Sequence, residues 1–395
     1  MKSPASPIEM GLLDAIARRG IKLTAFCSSL GELHSKSSEY DTIIIAENKY
    51  WLPLLKIIKR IFPDLINIPD FHVFSWNNKA IKSIERLLDV DGFDYIHSFS
   101  HSNSCHLVAN KIHKESGLPW IATFFDSWTD YPELDYKMSF FERLNKDLER
   151  QVAENATIIV HNNDNIANLW KKRYGENVAR KIIVIPLNER FDKQPDSLLK
   201  KGNKVVVTIS HIGTFYPFRD ASSFIDGVRL FTDKYPEDRS KVKINFIGNT
   251  LELDKRKIID YGLNDIFNLI GRVSKEECEK YYLNSDIFLA TANAPFEDYT
   301  YPSKILKYFF YNKPILGICP ETSVLHFELL KAGHLQFCPD DIEGIADYIK
   351  RAIENYESIC SYNRDYWKCF SEEVIADKYC SVMRNMINKK SKNVI

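Results

Sequence analysis

The chain reads as an α/β protein made of two doubly wound domains that face each other across a cleft. Three observations predict this. Short apolar runs alternate with amphipathic segments, the pattern of repeated β–α–β units and a mainly parallel sheet. The alternation stops once, in the polar stretch Asn188 to Asn203 containing ERFDKQPDSLLKKGN, and then restarts. At 395 residues there is chain enough for two domains, each with a sizeable core.

In order, the first half offers strands at Lys22–Cys27, Thr42–Ala46, Tyr95–Phe99, Trp120–Phe125, Ala156–His161 and Lys181–Pro186. Between them lie helical patterns at Ile8–Arg19, Leu52–Ile61, Lys79–Leu88, Cys105–Glu115, Phe140–Glu154 and Asn165–Tyr174. This sets a first domain over 1–190, a linker over 188–203 and a second domain over 204–370. The second half repeats the scheme with strands at Lys204–Ser210, Lys243–Ile247, Phe267–Ile270, Ile287–Ala290 and Ile315–Ile318. Its helices fall at Asp220–Lys234, Leu253–Tyr261, Lys275–Leu283, Ser303–Tyr311, Ser323–Ala332 and Ile342–Tyr356. A last helix, over 371–390, is expected to pack back on the first domain.

The totals exclude several classes. Lys plus Arg and Asp plus Glu both number 53, so nothing points to a general nucleic-acid binder. The composition, 45% apolar and 27% charged, is that of a soluble globular protein. Eight scattered cysteines without a CxxC pair argue against a zinc site and for reduced thiols, hence a cytoplasmic setting. No apolar run approaches the roughly 18 residues that cross a bilayer. The start, MKSPASPIEM, has no apolar signal core.

The most informative stretch is Ser285 to Pro320, SDIFLATANAPFEDYTYPSKILKYFFYNKPILGICP. It reads as strand, polar loop, Pro302-started helix and second strand. A loop of that kind sits at the carboxyl end of its strand, where open parallel sheets bind ligands. Pro302 suits a first helical position, and Tyr301 before it is a poor cap. The N–H groups of Ser303 and Lys304, the helix dipole and the Lys304 ammonium therefore suggest an anion site. Ile305, Tyr308 and Phe309 share one face, while Lys304, Lys307 and Tyr311 share another. An ordinary crossover helix with solvated lysines stays open as the alternative.

Read together, several segments resemble GT-B glycosyltransferases, in particular the family-4-like "group 1" enzymes. FDYIHSFSHS (93–102), GLPWIATFFDSWTDYP (117–132), IIVIPLNERFD (182–192), HIGTFYPFRD (211–220) and IGRVSKEE (270–277) precede the stretch just described, in the family's order. The resemblance covers about 11–370. It implies two Rossmann-like domains and transfer of a sugar from a nucleotide-sugar donor to a hydroxyl acceptor. That acceptor would be a glycan or lipid-linked glycan of a bacterial surface-polysaccharide pathway, and transfer would retain the anomeric configuration. No cofactor and no metal are implied, because cationic side chains and backbone N–H groups meet the charge on the departing diphosphate. A catalytically weakened partner or scaffold protein on the same fold is the rival reading.

On this resemblance Lys304, Ser303, Gly213 and Arg219 form the diphosphate cradle, Gly213 by allowing close backbone approach and Arg219 by pairing with phosphate. Arg272 and Val273 hold the nucleotide base. Two glutamates seven residues apart are usual in the family. The second position falls on Lys307, which then meets phosphate instead, and the first on Glu297, with Asp298 as the alternative. On the acceptor side Asp126 stands where a polar group approaches the reacting sugar, or else caps the turn DSWTD. His97 and His101, read on the loop after a strand, are acceptor-side candidates. Relatives begin with a strand before the first Gly-rich loop, whereas Gly11 follows almost directly on Met1. Either the start lies upstream or the first domain lacks that strand. Finally, Tyr50-Trp51-Leu52-Pro53 leads into LLKIIKRIF, a basic amphipathic segment over 50–62 suited to peripheral contact with anionic lipid on the inner membrane face.

Overall fold

The computed structural model describes residues 7–28, 37–45, 57–58, 60–62, 64, 69, 76–89, 92–100, 103–130, 136–191, 206–217, 219–293 and 298–392. It divides into two compact units, 1–190 with 370–395, and 191–369. Most of the expected linker, 192–203, lies outside the described residues.

In the first unit α1 (Pro7–Ala17) leads to β1 (Thr24–Ser28) and β2 (Asp41–Ile45), which pair in parallel. After α2 (Trp76–Leu88) come β3 (Ile96–Phe99), α3 (Ser104–Ser116), β4 (Trp120–Phe124), α4 (Ser139–Asn155), β5 (Ile158–His161), α5 (Asp164–Tyr174), α6 (Glu176–Ala179) and β6 (Ile182–Val184). Strands β3 to β6 form a second parallel sheet in sequence order. β4 is buried along its whole length, as a strand covered on both faces must be. Its side chains alternate between the two covers. Trp120, Ala122 and Phe124 join Val152 and Trp170 on one face, while Ile121 meets Leu12, Ile16, Tyr379 and Met383 on the other. The last two belong to the C-terminal helix, Glu372–Lys392, which packs along α1. Arg19 ties the two helices together, its Nε donating to Asp377 at 2.5 Å.

The sheet of this unit is in two pieces. Among the described residues β1 and β3 each pair on one side only. Their other edges border a cavity of about 770 Å³, lined by Lys22–Cys27 and Tyr95–Phe99 and walled by α1, α2, α3 and the C-terminal helix.

The second unit alternates without interruption: β7 (Val207–Ile212), α7 (Ser222–Lys234), β8 (Val242–Ile247), α8 (Glu252–Asp260), β9 (Phe267–Gly271), α9 (Lys275–Asn284), β10 (Ile287–Thr291), α10 (Lys304–Tyr311), β11 (Ile315–Ile318), α11 (Val324–Ala332), β12 (Gln336–Phe337) and α12 (Ile342–Glu354). Its six strands lie parallel in the order β12-β11-β10-β7-β8-β9. The chain builds outward from β7 to β9, then returns to the other side of β7 with β10. The strand order therefore reverses between β7 and β10, the place where open parallel sheets hold ligands at the carboxyl edge. The two-residue β12 is too short to show alternation in the sequence.

One boundary differs from expectation at the key helix. α10 starts at Lys304, not Pro302, with Ser303 as its N-cap. The Pro302 carbonyl accepts from the Ile305 N–H at 2.9 Å, so Pro302 and Ser303 form a lead-in turn.

Candidate active site

Three glycines end three neighbouring strands at the carboxyl edge of the second unit. Gly213, Gly248 and Gly271 have φ of 145°, 118° and 77°, a region that favours residues without a Cβ. They lock onto one another through the backbone. The Gly213 N–H donates to the Ile247 carbonyl at 2.7 Å, and the Gly248 N–H to the Gly271 carbonyl at 2.7 Å. A Cβ on Gly248 would collide with the Gly213 carbonyl, and one on Gly213 would lie 2.7 Å from Lys304 Nζ. The missing side chains are what allow the lysine to lie directly against the β7 turn.

Lys304 is anchored there. Its Nζ lies 3.0 Å from Nε2 of His211, the residue two before Gly213. His211 is completely buried, and its Nδ1 is 3.1 Å from the Leu289 carbonyl of β10. Burial, together with the charge of Lys304, holds the His211 basicity well below its ordinary value. One turn further along α10, the Tyr308 hydroxyl accepts the Ile212 N–H at 2.9 Å. Tyr308 is itself fully buried and stacks on Phe288 at 4.4 Å. α10 therefore grips the end of β7 at two points, with a cation at the outer one.

The other donor-side candidates arrange themselves around this pair. Arg219 is 8% exposed and closes a tight turn after β7, its N–H donating to the Tyr216 carbonyl at 2.7 Å. Its charge lowers the basicity of His211, after burial and the nearer Lys304. Ser303 is exposed, and its side chain makes no capping bond. Arg272 is exposed and Val273 half-buried on the loop after Gly271. That loop closes in a capping box, where the Ser274 side chain and Glu277 each bond the other's backbone. Lys307 departs from expectation. The face it shares with Tyr311 packs against α9: Tyr311 is buried and bonds Glu279, and the Lys307 charge acts on the Cys278 thiol. α10 thus turns one lysine to the site and the other to its neighbouring helix. Glu297 lies outside the described residues, and Asp298 accepts from the Thr322 hydroxyl at 2.7 Å.

In the first unit Asp126 is half-buried on the loop after β4. The loop is fixed on either side of it. The Phe125 N–H donates to Ser100 Oγ at 3.1 Å, the Ser127 hydroxyl to Asp130 at 3.0 Å, and the Trp128 indole to Asn145 at 2.7 Å. His97 is not on a loop, as the sequence suggested. It lies within β3, its Nε2 2.9 Å from Thr123 Oγ1 and its ring stacked on Phe99 at 3.9 Å. Alternation along the strand turns it toward the C-terminal helix, where Tyr379 lies 5.4 Å away. His101 lies outside the described residues.

Residues 10–187 match the family model described as Glycosyltransferase Family 4. Solved structures share the fold over nearly the whole chain. HepE of Anabaena, solved in complex with UDP, is 13% identical, with 98% of both chains covered and a TM-score of 0.67. Sucrose-phosphate synthase of Thermosynechococcus elongatus is 13% identical over 97% of this chain and 93% of its own, at 0.66. The lipopolysaccharide outer core galactosyltransferase WaaB is 12% identical over 98% and 97%, at 0.61. The chain has the GT-B fold, and its residues 10–187 are similar to Glycosyltransferase Family 4. No curated protein sequence matches it.

Two residues of this GT-B chain escaped the sequence reading, His211 and Tyr308. The signal for His211 was the break in VVVTISHIG, where an apolar strand turns polar two residues before its glycine. Tyr308 was read only as a packing residue, because periodicity reports the ring and not the hydroxyl. Gly248, ending KINFIG, was legible as a second strand-end glycine but had no partner in sequence.

Proposed function

We propose that the chain moves a sugar from a nucleotide-sugar donor to the hydroxyl of a glycan or lipid-linked glycan acceptor, with retention and without a bound metal. The observation that carries this is Lys304, an ammonium held against the Gly213 turn at the switch point of a doubly wound sheet. When the sugar leaves, negative charge collects on the diphosphate. Lys304, with Arg219 beside the same turn, supplies fixed positive charge where it collects, and the N-terminus of α10 adds its dipole. HepE, with the same fold, was solved with UDP, which supports a nucleoside diphosphate as the ligand class. Arg272 and Val273 would meet the base, and Asp126, with Glu297, the reacting sugar.

The test is thermal unfolding against a panel of nucleoside diphosphates. One member at 100 times its dissociation constant is expected to stabilise the protein by about 2.7 kcal/mol. Silence across the panel would favour a weakened partner protein, a rival that the lysine at 307 supports. A second assay, radiolabelled sugar transfer to lipid extracts, separates transfer from hydrolysis.

The acceptor side bears on localisation. Among the described residues no helix is long and apolar enough to cross a membrane. Tyr50–Lys56 and Lys59 lie outside the described residues, but Ile57 and Ile61 are 59% and 64% exposed and Phe62 41%. Apolar side chains open to water beside the exposed Arg60 suit a peripheral contact with anionic lipid on the cytoplasmic face. Flotation with anionic liposomes is expected to carry the protein upward. Replacing Lys56, Lys59 and Arg60 together by Glu should abolish this, and an unchanged profile would end the idea.

A further inference from the structure

We infer that His211 is the positioning residue of this site: a neutral, fixed imidazole that aims the Lys304 ammonium at the donor diphosphate. The inference rests on the diphosphate reading above and goes beyond it by adding the group that sets the lysine's direction.

The starting point is the way the sheet opens. The β7–β10 ladder pairs Ile209 with Ile287 and Ser210 with Phe288, and then stops. The next carbonyl of β10 on that side, Leu289, has lost its ladder neighbour just where the strands part. A carbonyl can only accept, so the His211 nitrogen 3.1 Å from it carries the proton. This fixes the Nδ1–H tautomer and leaves a lone pair on Nε2. That lone pair faces Lys304 Nζ at 3.0 Å, and an ammonium can only donate. One chain of bonds therefore runs from the β10 backbone, through the ring, to the cation.

The ring cannot turn to break this chain. It stacks on Phe215 at 3.8 Å with 19° between planes and has no exposed surface. A second proton on it would place a cation against the lysine inside the protein, and burial opposes that as well. With an N–H bond on Nε2, the ammonium is held beside the Gly213 turn, where a ligand would approach. A free lysine has rotamer freedom that binding must remove. Here much of that ordering is already built in before the donor arrives, which is how preorganised groups gain affinity.

The experiment compares wild type, His211→Phe, His211→Gln, Lys304→Ala and the His211→Phe/Lys304→Ala double variant. Inorganic pyrophosphate and UDP are the probes, titrated calorimetrically. His211→Phe keeps the stack on Phe215 but removes both nitrogens. It is expected to weaken binding at least tenfold, while His211→Gln, which retains a donor and an acceptor, returns to within about threefold of wild type. The deciding readout is non-additivity: in the Lys304→Ala background His211→Phe should cost nothing further. Equal losses in both backgrounds, or unchanged binding in His211→Phe, overturn the role of His211 and leave the diphosphate reading standing. Failure of wild type to bind either probe overturns both. If His211→Phe does not fold, imidazole ¹⁵N shifts decide. Nε2 of one buried Nδ1–H histidine must move between wild type and Lys304→Met, and no movement refutes the proposal.

Discussion

Between pH 7.5 and pH 5 buried histidines should cost the first unit about 4 kcal/mol of stability. His106 and His161 are completely buried, and desolvation pulls both down to about pH 3. In the unfolded chain they titrate near 6.5. The unfolded state therefore binds more protons than the folded one throughout the window from about 3 to 6.5, and stability falls as pH falls through it. At pH 5 each ring costs about 2 kcal/mol, a figure set by the unfolded value and the pH alone. His97 is also pulled down to about 3, but it borders the cavity, so the two fully buried rings carry the figure.

The second unit carries buried rings of its own. His211, held well below its ordinary value by burial, and His334 add costs of the same sign there. Asp254, pushed up to about 6 by burial, is relieved by protonation and returns about 1 kcal/mol. Against a usual total of about 5–15 kcal/mol, 4 is decisive. Urea midpoints by circular dichroism at the two pH values test this, and equal midpoints would refute it. His161 offers a control, since among the described residues neither of its ring nitrogens has a hydrogen-bond partner. His161→Phe, packed as before against Phe124 and Trp170, should remove about 2 kcal/mol of the acid sensitivity.

Lys304→Ala should lower turnover by 10² to 10³, about 3–4 kcal/mol, with native stability retained. The size follows from position. A preorganised charge at the point where the leaving diphosphate gains charge acts in the transition state more than in the bound donor, so kcat falls with kcat/KM. Lys307→Ala, whose side chain turns toward Cys278, should change either constant only a few-fold. Two variants one helical turn apart thus separate by about two orders of magnitude. If they lose activity equally, the face of α10 that meets the donor has been misassigned.

The sequence made most of the architecture legible because strand and helix periods are local. WIATF and the runs around it announce buried parallel strands, and the Pro302–Lys304 segment announces a helix at a strand end. What stayed hidden depends on which face meets which neighbour. Periodicity grouped Lys304 with Lys307, and only the packing of α9 separates them. The sequence placed His97 inside the strand Tyr95–Phe99 and yet suggested an acceptor-side place on the strand-end loop; pairing of β3 with β4 keeps it within the strand. His211 gains meaning only when β10, distant by 78 positions, brings Leu289 to its ring. The gap between β1 and β3 is likewise a fact of pairing.

The loop after Gly271 has a consequence for how such a protein diversifies. The glycine turns and His211 are bound into buried backbone, so substitution there puts folding at risk. Arg272 stands exposed on a loop whose far end is secured independently by the Ser274–Glu277 box. If, as proposed, these residues meet the nucleotide base, mutations at 272 and 273 would alter what the chain recognises at small cost to its fold. On the proposed function, selection could retune preference at one rim of the sheet while inheriting the charge-handling apparatus unchanged.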